Sequence, residues 1–217
     1  MPKDPVLVKT IVTVDLAERI AEHYGVETRN VLTGFKYIGE QIGLLEKVGE
    51  EKRYLFGFEE SYGYLTGTYV RDKDGVDGAV MICEMFSFYA ARGIRLTDQL
   101  AKLYERYGYC RNTLHSYQFE GSAGFAKMQG IMAAFRQGIS TFGGKAVEKV
   151  LDYSAGLDGL PKADVLKFYL DGGTTLVVRP SGTEPKLKLY LSVTAKDEAE
   201  AARIEQAILN DAEVYFR

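Results

Sequence analysis

The densest chemistry in the sequence lies at Arg179-Pro180-Ser181-Gly182-Thr183-Glu184-Pro185-Lys186. An arginine fork matches two phosphate oxygens, and serine and threonine hydroxyls donate further hydrogen bonds. Gly182 lets backbone N–H groups come close to a ligand. Pro180 and Pro185 fix φ towards either end, so the segment is stiff. A phosphate suits this set, with Arg179, Ser181, Gly182 and Thr183 as its contacts. The same composition also suits a rigid hairpin connection whose polar side chains face water. The flanking runs, residues 175–178 and 187–193, are apolar or alternating. That places the segment in a loop between strands, where function concentrates.

Two segments further upstream carry chemistry of a related kind. Thr33-Gly34-Phe35-Lys36 follows a strand-like run and puts Lys36 just past a strand end, where ligands bind in open α/β sheets. An ordinary surface lysine would read the same way. Phe58-Glu59-Glu60-Ser61-Tyr62-Gly63 follows another such run. A carboxylate accepts from two neighbouring hydroxyls, and a serine hydroxyl donates or accepts beside it. A capped turn with solvated glutamates fits those residues equally well.

Taken together, these segments resemble the α-D-phosphohexomutases, the phosphoglucomutase and phosphomannomutase enzymes. Arg-Pro-Ser-Gly-Thr-Glu-Pro-Lys is similar to the phosphate loop of the family's fourth domain. Glu59-Glu60-Ser61 is similar to the Gly-Glu-x-Ser sugar loop of its third, with Phe58 where glycine is usual. Thr-Gly-Phe-Lys is similar to the segment whose lysine faces the family's cleft. The resemblance implies that Glu59 and Ser61 bind sugar hydroxyls, and that Arg179, Ser181, Gly182, Thr183, Lys36 and Lys186 serve a substrate phosphate. It also implies a hexose phosphate substrate, a hexose 1,6-bisphosphate intermediate and Mg²⁺ in the full-length enzyme. Some members carry Gly-His after the serine. Tyr62-Gly63 stands here instead, so no catalytic acid or base is assigned.

The family's phosphoserine segment and its Asp-x-Asp-x-Asp metal loop have no counterpart in this sequence. The expectation is therefore a C-terminal half, inactive alone, whose partners are the N-terminal domains of a parent enzyme. The abrupt start at a core-like strand is consistent with that. A self-contained, non-catalytic sugar-phosphate or anion-binding module is the alternative, and a large exposed apolar surface on the first domain would favour the half-enzyme over it. A nucleotide-dependent α/β enzyme is disfavoured, because no GxGxxG follows the first strand.

The elements that must hold these residues read as α/β followed by α+β. Residues 6–12 are apolar on both faces, as in a buried parallel strand. A helix with Leu16, Ile20 and Tyr24 on its stripe, capped by Thr13 or Asp15, leads to a second strand over 26–32. A short helix through Gln41, Leu45 and Val48 precedes a third strand over 53–57. The run Asp72-x-Asp74-Gly75 reads as a charged turn before a helix, since it has too few spaced oxygens for a calcium loop. The apolar helix over 79–91 reads as core, and Thr97 as the cap of the next one. These make a three-layer α/β domain with a mainly parallel sheet, residues 1–110. Residues 111–217 read as a small antiparallel sheet covered by two helices, with strands over 113–120, 146–153, 165–170, 174–178 and 187–193.

With 217 residues, 46% hydrophobic, a packed core is available. A net charge of −3 with interspersed signs excludes the basic footprint of a nucleic-acid binder. Cys83 and Cys110 are far apart, which fits a reducing cytosol better than a disulfide framework. No apolar run reaches the ~20 residues of a membrane span. His23 and His115 have no ligand spacing and read as surface or satisfied core residues.

Overall fold

The computed structural model describes every residue except Thr183 and Arg217. The chain divides into two units, Met1–Tyr107 and Gly108–Arg217. The first is a mixed, mostly parallel sheet with helices and the second an antiparallel sheet with helices, the α/β-then-α+β order expected from the pattern.

In the first unit, β1 (Val6–Thr10) is buried along its whole length, as a strand flanked on both sides must be. It is followed by α1 (Leu16–His23), β2 (Glu27–Val31), α2 (Phe35–Lys47), one 3-10 turn, β3 (Tyr54–Glu59) and β4 (Gly63–Leu65). The sheet order is β2-β1-β3-β4, with β1 parallel to β2 and β3 and only β4 antiparallel. The β4 hairpin strand has no sequence signature, because three residues are too few to show alternation. Asp15 stands at the start of α1 but makes no side-chain capping bond there. Its carboxylate is bound to Lys9 instead, at 3.0 Å.

The charged turn before α3 (Gly75–Ala90) is a capping device. Asp74 Oδ1 accepts from the amides of Val76 and Asp77 at 2.8 and 3.1 Å. Asp77 accepts from the amide and hydroxyl of Thr66. Asp72 accepts from the amide of Lys73.

The reading of α3 as core does not hold. Val80, Met81, Ile82, Met85 and Phe86 are all exposed, and Gly78 is the helix's one buried residue. The helix is apolar nearly all round, so its sequence shows that it wants cover without showing where. The next helix, α4 (Leu96–Tyr107), starts before Thr97, which therefore lies in the first turn and is not the cap. An apolar groove between α1 and the sheet, lined by Leu7, Ile20, Phe56 and Phe58, also belongs to this unit.

The second unit runs β5 (Tyr109–Gln118), α5 (Gly121–Arg136), β6 (Thr141–Phe142), β7 (Lys145–Asp152), β8 (Leu166–Leu170), β9 (Thr174–Pro180), β10 (Lys186–Ala195) and α6 (Glu198–Phe216). All neighbours in its order β5-β10-β9-β8-β7-β6 are antiparallel. Met128, Ile131, Met132 and Phe135 of α5 and Ala201, Ile208 and Ala212 of α6 pack with the sheet in one apolar core. Gly121 opens α5 where the sequence suggested only a break.

His115 is a satisfied residue, as read. Its Nε2 lies 3.1 Å from Glu205 Oε1, and Glu205 also accepts from Arg111 Nε and Thr113 Oγ1, both at 2.6 Å. Burial works to raise the Glu205 carboxyl, but bonds from Thr113, His115 and Arg111 outweigh it and hold the group below its ordinary 4.5. A carboxyl held low contributes stability above its unfolded pKa and loses it as pH falls through the lowered folded value. Glu205→Ala is expected to destabilise the chain by about 1–3 kcal/mol at neutral pH, since three donors lose their acceptor. The gap from the parent chain should close towards about pH 3, below the unfolded carboxyl range. Thermal unfolding at both pH values checks this, and a gap independent of pH would rule out the charged network as its source.

Candidate functional site

In the first unit the sugar-loop residues sit on the β3–β4 hairpin. Glu59 is the last residue of β3 and pairs with Gly63, the first of β4, leaving Glu60-Ser61-Tyr62 as a three-residue turn. Tyr62 closes it at φ 61, a left-handed conformation uncommon outside glycine. Ser61 is exposed on the turn. Phe58, where the resembled loop has glycine, is absorbed into the sheet and stacks on Phe56 with ring centres 5.4 Å apart.

Gly63 explains how Glu59 is held. A Cβ there would lie 2.8 Å from both Cγ and Oε1 of Glu59 and 3.0 Å from the Phe35 ring. The glutamate side chain therefore lies across a bare backbone, and the ring of Phe35, the first residue of α2, approaches the same point. Phe35 also faces the Lys73 ammonium, 5.8 Å from its ring centre. Burial first, and the neighbouring Glu60 charge second, push the Glu59 carboxyl above its ordinary 4.5, while Lys73 pulls it back.

Lys73 is a site residue that the sequence reading missed. It was subsumed in the charged turn, and the turn's return towards Glu59 depends on a fold that spacing does not reveal. Lys36 is exposed and lies in the first turn of α2, not in the preceding loop. Its ammonium stands 4.8 Å from the centre of the Tyr37 ring.

In the second unit the phosphate-loop residues form the β9–β10 turn. Arg179 and Pro180 end β9, and Lys186 begins β10. The Ser181 amide donates to Lys186 O at 2.7 Å, the Lys186 amide to Glu184 O at 2.7 Å, and the Phe119 amide to Pro185 O at 2.9 Å. These bonds fix the loop's frame from inside and from β5. Arg179 Nε donates to Pro180 O at 3.4 Å. Lys186 is bound by Glu184 at 3.0 Å, which makes it the weaker ligand candidate. Beyond its chain neighbours, no atom of the described residues lies within 4 Å of a Cβ placed at Gly182, and its backbone is not left-handed. Thr183 lies outside the described residues.

Among the described residues no group of three or more histidine, cysteine, aspartate or glutamate side chains could hold a metal ion. Asp72, Asp74 and Asp77 are occupied by the turn and helix-cap bonds given above. The residues present do not fit Mg²⁺, and no step through a metal is derived from them.

Comparison with known proteins shows the family. Residues 1–107 match the family described as phosphoglucomutase/phosphomannomutase, alpha/beta/alpha domain III, and residues 120–211 match phosphoglucomutase/phosphomannomutase, C-terminal domain. The chain belongs to the phosphoglucomutase/phosphomannomutase family. It is 36% identical to a phosphoglucomutase of Staphylococcus saprophyticus over 203 residues, covering 88% of this chain and 36% of that protein. It is 36% identical to one of Staphylococcus epidermidis over 222 residues, covering 94% and 39%. It thus spans well under half the length of either relative. The fold is that of pp63/parafusin from Paramecium in its open form, with a TM-score of 0.68 at 19% identity over 96% of this chain and 36% of that one. A phosphoglucomutase/phosphomannomutase family protein from Burkholderia thailandensis gives 0.60 at 16% identity, covering 97% and 38%.

The electrostatics at Glu59 give a direct test. In a carboxyl-carbon NMR titration, Glu59 is expected to titrate above the ordinary glutamate value. Lys73→Met should move it higher, because an opposing positive charge is removed, and Glu60→Gln should move it lower. A Glu59 midpoint that neither substitution moves would dissociate these charges from the site.

Proposed function

We propose that this chain is the substrate-recognition part of a phosphohexomutase that interconverts hexose 1-phosphate and hexose 6-phosphate, of the phosphoglucomutase type. Glu59 and Ser61 take sugar hydroxyls. Arg179, Ser181, Gly182 and Thr183 take the phosphate, with Lys36 and Lys186 as lesser contacts and Lys73 acting on Glu59. The observation that carries this reading is the Glu59 side chain laid across Gly63 at the end of a parallel strand, in a family whose relatives are phosphoglucomutases. The β9–β10 loop, framed by its own amides and with open space beside Gly182, supports the phosphate assignment.

Phosphoryl transfer depends on positioning and on metal-assisted stabilisation of charge. In this proposal a phosphoserine and Mg²⁺ are supplied by N-terminal domains of the parent enzyme, and the intermediate is a hexose 1,6-bisphosphate. The chain alone is then a binder without turnover. The two unpaired cysteines fit a cytosolic setting.

The alternative, a self-contained sugar-phosphate or anion binder, uses the same residues. The exposed apolar side chains of α3 weigh against it, since surfaces of that kind mark contacts with further protein.

Calorimetric titration of the chain with glucose 1-phosphate, inorganic phosphate and glucose tests the proposal. The sugar phosphate should bind more tightly than either part. Arg179→Ala should weaken it by roughly tenfold to a hundredfold, the loss of a charge-assisted fork. Phosphate and sugar phosphate binding with equal affinity would remove Glu59 and Ser61 from the ligand. Turnover of glucose 1-phosphate by the isolated chain would refute the assignment of the transferring groups elsewhere.

A further inference from the structure

Glu60 stands between the two residues assigned to the sugar, yet its side chain is turned to the protein. Its Oε2 accepts from Thr10 Oγ1 at 3.0 Å, and Thr13 Oγ1 lies 3.4 Å away. Both threonines are buried, and their hydroxyls are 2.7 Å apart. Each hydroxyl has one proton to give. The shorter distances select a relay in which Thr13 donates to Thr10 and Thr10 donates to the carboxylate.

The threonines are themselves held from behind. Lys9, fully buried on β1, donates to Thr13 O at 3.0 Å and is paired with Asp15 at 3.0 Å and Glu18 at 2.9 Å. The Thr13 amide closes the turn onto Thr10 O at 3.0 Å. The β1–α1 turn is thus a fixed body, and Glu60 is the side chain of the exposed β3–β4 turn that reaches it.

We propose that Glu60, through Thr10 and Thr13, is the positioning residue of the sugar loop, fixing the turn that presents Glu59 and Ser61. This rests on the recognition reading given above. Without the anchor, a three-residue turn with a left-handed tyrosine samples other conformations. The ordering of that turn must then be supplied by the ligand's binding energy.

The test compares Glu60→Ala with Glu60→Gln in the full chain. Both remove the charge beside Glu59, so their electrostatic effect on it is shared, and only glutamine keeps an oxygen acceptor for Thr10. Amide hydrogen exchange at Ser61, Tyr62 and Gly63, measured without ligand, should speed up by roughly tenfold in Glu60→Ala, with α2 unchanged. Glu60→Gln should restore most of the protection. Affinity for glucose 1-phosphate should fall by roughly tenfold in Glu60→Ala and recover in Glu60→Gln, while affinity for inorganic phosphate stays constant. Thr10→Ser, which keeps the hydroxyl, should behave as the parent chain does.

Parental exchange in Glu60→Ala overturns the anchor. Faster exchange with parental sugar-phosphate affinity overturns the positioning role. Equal losses in alanine and glutamine variants would assign the effect to charge and overturn the proposal as well. A parent chain that binds phosphate but shows no preference for the sugar phosphate defeats the recognition reading, and exchange at residues 61–63 still decides the anchor.

Discussion

The first unit depends on one buried ammonium. Lys9 sits on the strand that every parallel pairing in its sheet uses, with no solvent contact. Removing such a group from water costs several kcal/mol, which only close partners offset. Asp15, Glu18 and the Thr13 carbonyl are those partners, and all three lie on the connection to α1 or on α1 itself. The charge therefore dictates the path of the chain after β1. Asp15 is drawn away from capping α1, and Thr10 and Thr13 are left with hydroxyls turned towards the neighbouring hairpin. A neutral residue at position 9 would leave that connection without its organising contact.

A second constraint is the absence of a side chain at Gly63. Glu59 occupies the space that any Cβ there would need, and Phe35 closes the other side. Two adjacent acids at a chain turn would ordinarily repel into water. Here they diverge, with Glu60 towards threonine donors and Glu59 over glycine, where burial and the Glu60 charge raise its carboxyl and Lys73 moderates the rise. Alanine at 63 would move Glu59, and with it the acceptor that gives the hairpin its chemistry.

These arrangements were only partly legible in the sequence. The family resemblance, more than residue types alone, singled out Arg179, Ser181, Gly182, Glu59 and Ser61 as candidates, and alternation or apolar runs marked the strands around them. The buried β1 and the antiparallel second unit followed from pattern alone, because the period of a strand is short and local. Lys73, Thr10 and Thr13 could not be read so, since each becomes relevant only through a partner dozens of residues away. The position of Lys36 shifted because α2 begins at Phe35, where Gly34 looked like part of a longer loop. The exposure of α3 was illegible for a different reason. An all-round apolar helix specifies the amount of cover it needs and not the surface that provides it.

A hexose phosphate makes opposite demands at its two ends. Hydroxyls on a sugar are recognised by acceptors, best by a carboxylate, whereas a phosphate needs donors and positive charge and is repelled by the same carboxylate. In the proposed function the two units divide these demands. The β3–β4 hairpin presents Glu59, whose carboxyl is raised by burial and the Glu60 charge and drawn back by Lys73. The β9–β10 turn carries Arg179, Ser181 and Gly182 on a frame closed by its own amides. Neither fold could host the other's chemistry cheaply. A guanidinium beside Glu59 would pair with it and remove the acceptor, as Glu184 already pairs with Lys186 in the second unit. On that proposal, two separate frames let each turn be tuned for one end of the ligand without a compromise at the other.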